Sequence, residues 1–180
     1  MIVLLIIMLM LINISSNEYL IDFGTEKSGS DWYIINDGVM GGLSLGNFKL
    51  AENSMVFSGN ISLDNNGGFS ALRSPFGKYD LSKFDYLEIK SRSKGQIIAF
   101  TLETDNRFFM PYYKFIVSSG TDEFVITKIK LSDFKAYRLA RETGDYLSEN
   151  ELQKIIRMGF ITSDKKASDF EFEVEYIKFY

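Results

Sequence analysis

Asn36-Asp37-Gly38-Val39-Met40-Gly41-Gly42-Leu43-Ser44 places three glycines, an Asx pair and a serine within nine positions, just after Trp32 and Ile34. A Gly-Gly step after bulky residues lets the backbone take positive φ, or approach another surface with no Cβ in the way. A second stretch of the same character follows at Asp64-Asn65-Asn66-Gly67-Gly68-Phe69-Ser70-Ala71-Leu72-Arg73. Two glycine-rich loops that feed β-like segments predict a rigid sandwich whose loops do the recognising.

Outward from these loops the chain alternates as strands do. Tyr33 to Ile35 leads into the first loop, and Met55, Phe57, Gly59, Ile61 and Leu63 share one parity before the second. Asn66-Gly67 between two such runs suggests a hairpin or a bulged loop. Beyond it, Phe69, Ala71 and Arg73 share one face of the next strand. Tyr86 to Arg92, Gln96 to Thr104, Tyr112 to Val117 and Phe124 to Leu131 continue the pattern, dense in aromatic and β-branched residues. Phe170, Phe172, Val174 and Tyr176 alternate with Glu171, Glu173 and Glu175; the parity then changes at Ile177 and Phe179, which predicts a bulge there. One helix is expected, opened by the capping box Ser148-Glu149-Asn150-Glu151, running about two turns under Leu152, Ile155 and Ile156, and closed by Gly159. The fold class is all-β: an antiparallel jelly-roll β-sandwich with one short helix, a single domain over residues 17–180.

Composition removes whole classes of chemistry. The 180 residues include no Cys and no His, which excludes disulfides, thiolate sites, Ser-His triads and the usual zinc sites. The net charge of −4, with both signs interspersed, gives no footprint for nucleic acid. Met1 to Ile12 is an unbroken apolar run, short for a bilayer span of roughly 20 residues. With Ser15 and Ser16 behind it, residues 1–16 are expected to be a signal peptide or hydrophobic anchor. The protein is then periplasmic or extracellular, touching a membrane only through that segment if uncleaved; without such a signal it is cytoplasmic.

Each candidate for chemistry has a plain structural counterpart. Asp37 either orients a ligand or caps its turn by accepting backbone N–H bonds. Asp64, Asn65 and Asn66 gather oxygens that a calcium ion could use, or form a turn. Arg73, sharing a face with Phe69 and Ala71, needs a carboxylate, with Asp37 or Asp64 the natural partner. Glu171, Glu173 and Glu175 match a glycosidase pair in distance alone, and a solvated face equally well. Tyr112, Tyr113, Tyr137 and Tyr146 could stack on sugars or on a protein, or pack the core. No cofactor-binding motif is found.

Trp32, the Asn36–Ser44 stretch, Phe57-Ser58-Gly59, Asn65-Asn66-Gly67-Gly68-Phe69 and Arg73 together resemble the signature of the complex I intermediate-associated protein family, the NADH:ubiquinone oxidoreductase assembly factors of mitochondria and their bacterial relatives. The resemblance extends more loosely over Leu20 to Phe179. It implies a galactose-binding-domain-like jelly roll and a non-catalytic, chaperone-like role in assembling the respiratory complex. The binding motif carried over is Trp32, Asp37, Met40, Gly41, Gly42, Ser44, Asn65, Asn66, Gly67, Gly68 and Arg73. Export would place the chain on the wrong side of the membrane for a cytoplasm-facing arm of complex I. Two functions are therefore expected from the sequence, a protein-binding scaffold with a protein partner or an exported carbohydrate-binding module, with a carboxylate-only hydrolase as a minor third.

Overall fold

The computed structural model describes residues 18–118 and 122–180, so the apolar run at Met1–Ile12 and the proposed cleavage region lie outside the described residues. Among the described residues there are thirteen strands: β1 (Tyr19–Asp22), β2 (Tyr33–Asn36), β3 (Leu45–Leu50), β4 (Met55–Ile61), β5 (Ser70–Arg73), β6 (Tyr86–Lys94), β7 (Ile98–Glu103), β8 (Tyr112–Ser118), β9 (Val125–Lys130), β10 (Lys135–Arg138), β11 (Arg141–Tyr146), β12 (Arg157–Thr162) and β13 (Ser168–Phe179). One α-helix, α1 (Glu149–Leu152), stands among the described residues.

The strands form two antiparallel sheets of a jelly-roll sandwich. The six-stranded sheet runs β3-β4-β13-β6-β9, with β1 also on β13; the seven-stranded sheet runs β11-β10-β8-β7-β12-β5-β2. Alternation of apolar residues sets which face of each sheet turns inward. Aromatic side chains bridge the sheets: Phe172 of β13 meets Phe160 of β12 at 4.7 Å between ring centroids, and Phe160 in turn meets Phe100 at 5.2 Å and Trp32 at 6.1 Å. These four rings are buried in one continuous core.

The parity change in the last strand has the expected cause. Pairing of β13 with β6 shifts register between Val174 and Tyr176, so Glu175 is a bulged residue. Phe170, Phe172 and Val174 are buried before it, Ile177 and Phe179 after it.

Three expectations are corrected. Asn66-Gly67 does not close a hairpin: β4 already pairs β3 and β13 in one sheet, so the chain crosses to start β5 in the other. The helix lasts one turn, ending at Leu152, and Gly159 lies inside β12 instead of closing it. Extended pairing wins there, because Tyr79 bridges Ile155 and the Ile156 N–H donates to the Glu103 carbonyl. Nor does Ser148 cap the helix through its side chain, since its hydroxyl bonds the Glu151 carboxylate instead of a backbone N–H. Finally, the hairpin β10–β11 had no expectation at all. Its edge strand β11 is exposed at every residue and so lacks a hydrophobic period, and its turn is Leu139-Ala140, both at positive φ without a glycine.

The inter-sheet ring contact gives a direct test. Phe172→Ala should cost roughly 3–5 kcal/mol of unfolding free energy in urea, because it opens a cavity beneath Phe160. A loss well below that range would mean the sheets are not joined through this ring.

Candidate functional site

The two glycine loops meet around one carboxylate. Asp37, buried at the end of β2, accepts a hydrogen bond from the Ser44 N–H at 3.0 Å and from the Ser44 hydroxyl at 2.5 Å. It also accepts from the N–H groups of Gly68 at 2.6 Å and Phe69 at 3.2 Å. Burial pushes this carboxyl up, but the hydrogen bonds from Ser44, Gly68 and Phe69 outweigh burial and hold it below its ordinary value. Neighbouring Asn36 makes a parallel link, its Oδ1 accepting from the Gly46 N–H at 3.0 Å and the Ser70 hydroxyl at 2.7 Å. Both residues tie β2 and β5 of one sheet to β3 of the other.

The glycines serve this latch in two ways. A Cβ on Gly67 would stand 2.6 Å from Asp37 Oδ2, and one on Gly42 would stand 2.4 Å from its Cγ. Gly67 is thus required by close approach and not by positive φ, since its φ is −65°; Asn65 and Asn66, at 54° and 60°, make the turn. Gly41 does sit at φ 89°, in open space.

The remaining motif residues disperse. Trp32 is buried in the core against Phe23 and Phe160. Met40 is 74% exposed, and Asn65 donates to the Gly41 carbonyl. Asp64 accepts from the Ser62 hydroxyl, and among the described residues no group of three acidic, His or Cys side chains is placed to hold a metal ion. Two of the ladder's glutamates are engaged in ion pairs: Glu173 with Arg92 at 2.5 Å, with a further hydrogen bond from the Ser54 hydroxyl, and Glu175 with Lys90 at 2.7 Å.

Arg73 does not reach Asp37 or Asp64. It lies on the outer face of the seven-stranded sheet, where antiparallel register sets it beside Tyr33 and Gly159, with Thr101 and Lys114 in line beyond. Gly159 has no side chain, so the Arg73 stem lies across it; a Cβ there would stand 2.9 Å from Arg73 Cδ. The guanidinium ends on Thr101 Oγ1 at 2.7 Å and on Glu103. Glu103 is the true partner because its side chain leaves the same face one rung along, whereas Asp37 is enclosed by amides. Arg157 binds the other Glu103 oxygen through Nε at 2.9 Å and Nη2 at 2.5 Å, and donates to the Tyr33 hydroxyl at 3.0 Å.

Aromatic residues extend this cluster. Tyr112 and Tyr137 stack at 6.0 Å on the same face, and Lys114 Nζ lies 4.0 Å from the Tyr137 ring centroid. The Arg157 guanidinium lies 4.4 Å from the Phe76 ring centroid, and Phe108, in the loop between β7 and β8, is 84% exposed. Burial pushes the Tyr112 hydroxyl up and pulls the Lys114 ammonium down. Of the other tyrosines, Tyr113 is buried in the core and Tyr146 exposed. Glu103, Arg157, Lys114, Phe76 and Phe108 were not singled out from the sequence. Of these only Glu103 left a signal, as the charged residue that closes the largely apolar run Ile98 to Leu102.

The latch makes two predictions. Asp37→Asn should lose roughly 2–4 kcal/mol, because an amide accepts fewer of these bonds and carries no charge. A carboxyl depressed by folding stabilises fully above its unfolded value of about 4, and that stability is lost as pH falls through the lower folded value. Acid unfolding of the parent chain should therefore steepen below about pH 4, and Asp37→Asn should remove part of that slope. In thermal or urea unfolding, Gly67→Ala should cost roughly 3 kcal/mol through overpacking, against roughly 1 for Gly41→Ala, which only strains a free turn. Equal costs would contradict the close approach.

Comparison with known proteins agrees with this architecture. A sequence model of the family described as complex I intermediate-associated protein 30 matches residues 21–174. Among solved structures, the family 11 carbohydrate-binding module of the cellulosomal cellulase Lic26A-Cel5E of Clostridium thermocellum superposes with TM-score 0.67 at 17% identity, over 90% of this chain and 93% of that one. The same kind of module in complex with a beta-1,3-1,4-mixed-linked tetrasaccharide gives TM-score 0.66 at 17% identity, over 90% and 94%. An agarase gives TM-score 0.57 at 9% identity, covering 90% of this chain but 24% of its own. These likenesses show the fold, while the family match is direct: the chain belongs to the complex I intermediate-associated protein 30 family.

Proposed function

We propose that this chain is a non-catalytic binding module, and that its partner is a protein held on the outer face of the seven-stranded sheet. The observation that carries this reading is the mixture on that face: a nearly buried arginine pair and stacked tyrosines, flanked by exposed Phe76, Phe108 and Ile116. Arg, Tyr and Phe at the centre of an open face are the residue types on which protein interfaces concentrate their energy. The family description, complex I intermediate-associated, favours a protein partner in an assembly role. The glycine loops support this face by holding the sheets in place; of the motif, Arg73 alone belongs to it.

A second reading, a carbohydrate-binding module, is favoured by one specific observation. Tyr112 and Tyr137 present stacked rings on a strand face, and sugar rings pack on such surfaces. Solved modules with this fold are described as carbohydrate-binding. Export through residues 1–16 belongs with this reading and a retained N-terminus with the first.

A photo-crosslinking residue in place of Phe108 or Tyr137, in cells of the source organism, should form protein adducts, whereas one in place of exposed Glu171 on the other sheet should not. Adducts from Glu171 alone would overturn the assignment of the face. Retardation in gels containing beta-1,3-1,4-mixed-linked glucan, abolished by Tyr137→Ala, would select the second reading. Mass spectrometry of the mature N-terminus should show Met1 to Ile12 retained under the first reading, and cleavage near Ser15–Ser16 under the second.

A further inference from the structure

We infer that the Arg73–Glu103–Arg157 cluster receives an acidic side chain of the protein partner, which rests on the reading of the outer sheet face as the binding surface. The argument begins with charge. Glu103 spends both carboxylate oxygens, one on Arg73 and the other on the Arg157 fork. Two guanidinium groups thus share one carboxylate, and their side chains are only 11% and 13% exposed. Lys114 adds a third, part-buried cation in the adjoining row. Glu142, the next acid on the face, is engaged by Lys135 at 2.9 Å and by the Tyr137 hydroxyl at 3.2 Å. This positive excess lies on a chain whose net charge is −4, so it is local.

Desolvated charge without a counter-charge is costly, and a ligand carboxylate would relieve that cost. A second observation concerns an unmet donor in the same cluster. Arg73 Nε is buried without any acceptor, although the guanidinium otherwise bonds Thr101 and Glu103. Orphaned donors of this kind are uncommon in native structures. Burial pulls the Arg73 guanidinium down, with Glu103 opposing it and Arg157 adding to it, while contacts with Glu103 and Tyr33 outweigh burial and hold Arg157 up.

The flanks select a protein over an acidic glycan. Phe76 packs against the Arg157 guanidinium and is 53% exposed; with Phe108, at 84%, it supplies apolar surface of the kind that protein contacts cover. An aspartate or glutamate set between apolar residues of the partner fits both the arginines and this rim.

The test is an NMR titration of the full chain with a hexaglutamate peptide, at low and high salt, with hexaglutamine and hexagalacturonate as controls. Hexaglutamate should shift Arg73, Tyr112 and Tyr137, and salt should weaken it. Glu103→Gln, which removes the competing carboxylate, should tighten binding about tenfold, and Lys114→Gln should weaken it severalfold. A purely structural cluster would show neither change, and the Lys114 variant keeps the test decisive if Glu103→Gln perturbs folding. Equal shifts from hexaglutamine would overturn the acidic ligand while leaving the face intact. Binding of hexagalacturonate alone would replace the protein with a glycan and overturn the inference. No shift from any probe, with crosslinking at Phe108 still productive, would sink this inference and spare the face; loss of that crosslinking as well would sink both.

Discussion

A buried carboxylate holds this sandwich shut at one end. Asp37 arrives at the end of β2, receives two bonds from Ser44 ahead of β3 and two more from Gly68 and Phe69 ahead of β5. Those strands belong to different sheets, so the anion acts as a clasp between layers. Burying a charge is expensive unless donors replace its water, and the glycine loops supply those donors by bringing bare backbone within reach. This explains why glycine and serine crowd around Asp37 without any need for a ligand there.

With that end committed to structure, the outer faces of the two sheets can be compared. On the six-stranded sheet the cations stand in water: Arg92 on Glu173, Lys90 on Glu175, and Lys128 and Lys178 sharing Glu88, which also accepts from the Tyr176 hydroxyl. Exposed pairs of that kind contribute little and advertise nothing. On the seven-stranded sheet the cations are kept from water, since two nearly buried arginines converge on one glutamate beside a half-buried lysine and stacked tyrosines. An imbalance of charge kept partly out of water is what a ligand would correct, and it separates a binding face from a merely solvated one.

The sandwich itself was legible because period-two alternation and aromatic density report burial directly, down to the bulge at Glu175. The two glycine loops were legible as well, though Arg73, expected to pair with Asp37 or Asp64, pairs with Glu103. Arg73 looks adjacent to Asp37 in the motif, but strand register across β5, β12 and β7 is what places Glu103 beside it, and register between distant strands leaves no local trace. The same reason hid Arg157, which lies 54 residues beyond Glu103. A polar edge strand, β11, and a two-residue turn without glycine hid the β10–β11 hairpin, which carries Tyr137. The helix was overread because Leu152 and Ile155 are both buried, as helical spacing implies, yet the backbone after Leu152 turns to serve strand pairing.

The clasp is most directly tested by amide hydrogen exchange at neutral pH. If Asp37 joins the sheets, the N–H groups of Ser44, Gly68 and Phe69 should exchange as slowly as those in central strands such as β7 and β12, despite lying in loops. Exchange of these three at the rate of the exposed β11 edge would contradict the account.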